Sequence, residues 1–68
     1  MSELNTHAST AHKEAATEHK ACADQHNKAA ACHDNNKMDD AKDCSTIALK
    51  ASDAAHQKSV KANDISSK

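Results

Sequence analysis

Not one glycine, proline or aromatic side chain occurs along this chain, and that absence leaves helix as the only regular structure well supported. Gly and Pro are the strongest punctuators of loops, and aromatic residues favour strands. Alanine, the best helix former, supplies 15 of the 25 hydrophobic residues. An alanine buries little apolar area, and the larger aliphatics past Met1 are only Leu4, Met38, Ile47, Leu49, Val60 and Ile65. A chain of 68 residues with so thin a core needs oligomerisation, a metal or a disulfide to hold it.

Histidines recur every seventh residue at His12, His19, His26 and His33. Between them stand small pairs: Ala15 and Ala16, Cys22 and Ala23, Ala29 and Ala30. Offsets of three, four and seven share one helix face. The spacing therefore predicts a seam with histidine at the first heptad position and Ala or Cys at the fourth. The fourth unit keeps its histidine but offers Asn36 and Lys37 in place of the small pair, so the helix is expected to end there. Asp34-Asn35-Asn36-Lys37 is the one turn-like cluster, because Asn tolerates the left-handed conformation when Gly is unavailable. Asp39 and Asp40 suit the start of a second helix through capping and the helix dipole.

These signals predict one all-α domain, 1–68, folded as an antiparallel helical hairpin. Helix one spans about 5–34, a rod of about 45 Å at 1.5 Å per residue. The turn spans about 35–38, helix two about 39–62, and 63–68 forms a frayed tail. Helix two repeats the small-residue logic at Ala41, Cys44, Ala48, Ala51, Ala55 and Ala62, with a gap at Lys58. Leu49, His56 and Val60 fall on another side, which points to a second copy and an antiparallel four-helix bundle.

Charge excludes several partners. Nine Lys against ten acidic residues give a formal charge of −1, with the signs interspersed. No basic stripe exists to neutralise phosphates and no aromatic to stack on bases, so nucleic acid is not an expected partner. No apolar run approaches the roughly 20 residues of a membrane span, and the N-terminal ten residues lack a signal-peptide plan. The expectation is a soluble, cytoplasmic homodimer. Catalysis is not expected, since a nucleophilic cysteine needs a base, an oxyanion site and a pocket that a thin hairpin does not supply.

The histidines carry the sharpest chemistry. Neutral imidazole is a good ligand for zinc, copper and nickel. Ligands three or four apart on a helix can share one ion, and His19, Cys22 and His26 meet that condition. A metal-binding or metal-buffering protein on these three, with His12, His33 and His56 as auxiliary ligands, is one reading; a second chain or His56 must complete the set. The other is a structural or interaction module whose histidines set helix pairing or sense pH, as polar residues in heptads do. A third is a chain that stays disordered until it meets a partner.

Taking Met38 as the mirror point of the hairpin places Cys32 opposite Cys44. A disulfide there would close a short loop and contribute about 3 kcal/mol. Against it, the predicted seam includes Cys44 but leaves Cys32 on its flank. Cys22, in the seam, is left as packing, metal ligand or interchain link.

The repeat His-x-x-Ala-Ala-x-x-His, seen from His12 to His19 and from His26 to His33, resembles small bacterial Ala/His-rich helical-repeat proteins. The likeness covers roughly residues 8 to 33. Those proteins often carry paired histidines; here they are single, and cysteines intrude at Cys22 and Cys32. No activity comes with the resemblance, which implies the helical fold alone. Copper-storing bundles share the idea of inward thiols, but three cysteines are too few for that design.

Overall fold

The computed structural model describes residues 3–68 and contains two helices. α1 runs Glu3–Asp34 and α2 runs Met38–Ser66. They pack side by side along their length in a rod with principal extents of 52 × 14 × 11 Å. The expected all-α hairpin is what the chain forms. No helix among the described residues is long and apolar enough to cross a membrane.

The turn is built by the backbone. Asn36 sits at φ 59, in the left-handed region. The Lys37 amide donates to the Cys32 carbonyl at 2.8 Å and the Asn36 amide to the His33 carbonyl at 3.0 Å. That pair of bonds around a left-handed residue is a Schellman cap, which satisfies carbonyls the helix end would otherwise leave open. Asn35 Nδ2 adds a bond to the Ala31 carbonyl at 2.9 Å. Asp39 and Asp40 act differently from the expectation. Lys37 occupies the N-cap without a side-chain bond, and both aspartates lie inside the first turn. Their contribution there is through the dipole rather than through capping.

The second helix also runs further than expected. Instead of fraying after Ala62, it continues to Ser66. Ala62 is fully buried and Ile65 half-buried, so this stretch packs on α1 and is held helical by that burial.

The core is a zipper of methyl groups. On α2, Ala41, Ala48, Ala55 and Ala62 are buried at steps of seven, and Cys44, Ala51, Lys58 and Ile65 are half-buried between them. That reproduces the expected α2 seam and fills its gap at Lys58. On α1 the covered positions are Ala8, Ala11, Ala15, Glu18, Cys22, Gln25, Ala29 and Cys32, alternating by three and four. The expected α1 seam needs correction. Ala15, Cys22 and Ala29 belong to it, but the residue before each histidine, not the histidine, completes it. His12, His19, His26 and His33 are exposed, as are Ala16, Ala23 and Ala30.

Size explains the choice. Both phases satisfy a three-four alternation through Ala15, Cys22 and Ala29, yet an imidazole between closely packed alanine faces would force the helices apart. Ala11 and Cys32 fit where His12 and His33 do not. Glu18 and Gln25, at the two positions between, are half-buried, flexible unbranched chains that can lead their polar ends out to solvent as a rigid ring cannot. The larger aliphatics stay largely outside the core, with Leu4, Met38, Ile47, Leu49 and Val60 all exposed.

Candidate functional site

Placed one residue outside the seam, the histidine column lines a flank of the rod and meets a column of serines on α2. His12 Nε2 and Ser66 Oγ are 2.7 Å apart, and His19 Nε2 and Ser59 Oγ 2.6 Å. His26 Nε2 and Ser52 Oγ are 3.1 Å apart. Every step of seven along α1 is answered by a step of seven back along α2. Antiparallel helices with one heptad period bring equivalent flanking positions together in this way. The next pair, His33 and Ser45, stands in the same series, but no hydrogen bond between the two is made among the described residues.

Ser52 serves two partners, because Cys22 Sγ also lies 3.1 Å from its Oγ. A hydroxyl donates once and accepts twice, so one serine can hold both the thiol and the imidazole. Across the seam, Lys58 Nζ approaches Glu14 Oε2 at 3.6 Å. This ion pair is partly exposed and contributes little to stability.

Of the expected metal ligands, Cys22 and His26 converge on one hydroxyl, while His19 is drawn to Ser59, a heptad further along α2. His12 pairs with Ser66, His33 stands exposed in the last turn of α1, and His56 is exposed on α2. Among the described residues, no three of His, Cys, Asp and Glu gather closely enough to hold a metal ion. Nor does a cavity open among them.

The closed end holds a second cluster. Cys32 Sγ and Cys44 Sγ are 3.8 Å apart, both half-buried and both free thiols. Cys32 lies in the seam rather than on its flank, which corrects the geometric objection to their meeting. Partial burial, the hydrogen bond to Cys44 and the nearby Cys44 and Asp40 push the Cys32 thiol above the usual cysteine value, with Lys37 opposing.

Sequence reasoning missed the serines. Their signal was present: Ser45, Ser52, Ser59 and Ser66 recur every seventh residue, in step with the histidines. Comparison with protein-family models, with curated proteins and with solved structures gives no match.

Proposed function

We propose that the chain is a structural pairing module, a helical rod whose histidines tie two helices together along one flank. The observation that supports this reading is the run of three His–Ser bonds in matched heptads. An alanine seam is smooth and its methyl groups discriminate poorly between rotations of one helix against the other. Directional bonds to one flank choose between them. With six alanines as the buried core among the described residues, the rod is further expected to pair with a second copy. That copy would cover aliphatics such as Leu49 and Val60.

A triple variant, Ser52→Ala/Ser59→Ala/Ser66→Ala, tests the ladder. Each change removes bonds worth about 0.5–1.5 kcal/mol but gains roughly 0.5 kcal/mol of helix propensity. Melting and amide exchange both report this net balance, so each is read against a control that carries the propensity gain alone. The expected result is unchanged helicity with faster amide exchange along both helices than in a Ser9→Ala control, which gains helix propensity without losing a bond to histidine. In the unmodified protein, nuclear Overhauser contacts should link the His12, His19 and His26 rings to the β-protons of Ser66, Ser59 and Ser52. Missing contacts, or equal exchange in the variant, would overturn the proposal. Sedimentation separately reports whether the rod is a monomer or a dimer.

A second reading rests on the convergence of Cys22 and His26 on Ser52. These two donors form half of a site for Zn(II), Cu or Ni(II), which a second copy could complete. Stoichiometric uptake of one of these ions by the reduced protein, lost in Cys22→Ala/His26→Ala, supports it. No uptake refutes it.

A further inference from the structure

We propose that Cys32 and Cys44 form a redox latch, a thiol pair that small disulfide oxidants close into an intrachain bond locking the hairpin. The inference stands on the closed end of the rod and does not depend on the histidine ladder. Cys32 lies in the last turns of α1 and Cys44 in the second turn of α2, and their sulfurs are 3.8 Å apart. A disulfide holds its sulfurs at about 2.05 Å, so each side chain has to supply less than about 1 Å of movement. The backbone already holds the two strands of the loop in place. The Cys32 carbonyl accepts from Lys37 at 2.8 Å, and the Lys37 carbonyl accepts from Ala41 at 2.8 Å.

The third cysteine does not compete. Cys22 is ten residues before Cys32 on the same helix, about 15 Å along its axis, and is held by Ser52. Within one chain, Cys32 and Cys44 have only each other.

Closure balances as thiol–disulfide exchange. The thiolate of one cysteine attacks a sulfur of the small disulfide. The oxidant's S–S bond breaks, one thiolate leaves and takes up a proton, and a mixed disulfide remains on the protein. The other cysteine, deprotonated in turn, attacks the protein sulfur of that mixed disulfide and expels the second small thiol. The protein gives up two electrons and two protons; the oxidant becomes two thiols.

The latch matters because the hairpin it closes is weakly held. Closing a loop of about this length raises the folded-to-unfolded ratio on the order of 100-fold, in a rod whose fully buried core among the described residues is six alanines. Oxidation therefore converts a loosely held hairpin into a firmly folded one, and reduction reverses the change.

The test treats the full chain with excess oxidised glutathione and maps the products by mass spectrometry, titrates the remaining thiols and compares melting under oxidised and reduced conditions. The expected result is one intrachain Cys32–Cys44 bond, Cys22 alone carrying a free thiol or a glutathione adduct, and a higher melting temperature after oxidation. In Cys44→Ser the glutathione adduct on Cys32 should persist and the melting temperature should not rise as it does in the unmodified protein. Persistent adducts on Cys32 and Cys44 in the unmodified protein would overturn the latch. So would bonds through Cys22, covalent dimers through Cys32 or Cys44, or a closed bond that leaves melting unchanged.

Discussion

Replacing Ala55 with glycine isolates what the alanine seam contributes. Ala55 is 1% exposed, and Ala23 on the other helix is exposed. Glycine in a helix interior costs about 1 kcal/mol relative to alanine wherever it is placed. At Ala23 that is the whole effect, because the methyl group there is already in water. At Ala55 the change also removes a fully covered carbon, worth about 0.8 kcal/mol, and the small void left behind adds to the loss. The expected destabilisation is about 1 kcal/mol for Ala23→Gly and about 2 kcal/mol for Ala55→Gly. For a domain this small each kcal/mol moves the melting temperature by about 4–8 °C. Circular dichroism melts of the two variants, run in reductant, should therefore separate clearly. Equal losses would mean that the methyl zipper does not hold the helices together, and the account of the fold would fail.

The turn and the closed-end thiols give two further expectations. Asn36 carries φ 59, so Asn36→Ala should cost about 1 kcal/mol while Asn36→Gly is neutral or stabilising; identical melts for the Ala and Gly variants would refute the strain argument. The raised Cys32 value means that the folded state holds this proton more tightly than the unfolded chain. That contribution is present below the ordinary cysteine range and is lost as pH rises through it. In reductant, the unmodified protein should lose more stability from neutral to alkaline pH than Cys32→Ser does, and parallel pH profiles would contradict it.

The elements that could be read from the sequence are those where size and spacing agree. On α2, alanines at 41, 48, 55 and 62 leave one choice of inward face, and the structure buries all four. The turn was legible because Asn is the residue best able to stand in for Gly at the left-handed position. On α1 the spacing was degenerate. Ala11 and His12 both lie within one heptad pattern with Ala15, and only the closeness of the facing helix decides between them, a property of the pair rather than of either segment. The same one-residue shift moved Cys32 into the seam beside Cys44 and turned the histidines outward, toward serines that look unremarkable until both helices are in place. The end of α2 was missed for a related reason: Asn63-Asp64 reads as a polar tail, yet Ala62 and Ile65 on either side are held against α1.

The arrangement of the ladder also fixes how the rod would yield to force. Both ends of the described chain lie at the end opposite the turn, so tension applied there peels the helices apart instead of shearing them. The load then falls on one rung at a time, beginning with His12 and Ser66, passing to His19 and Ser59, and reaching His26 and Ser52 last. Such a rod lengthens in heptad-sized steps at low force and re-zips from the turn outward. A bond between Cys32 and Cys44, sitting beyond the final rung, would leave every one of those steps as soft as before and set only how far the peeling can go.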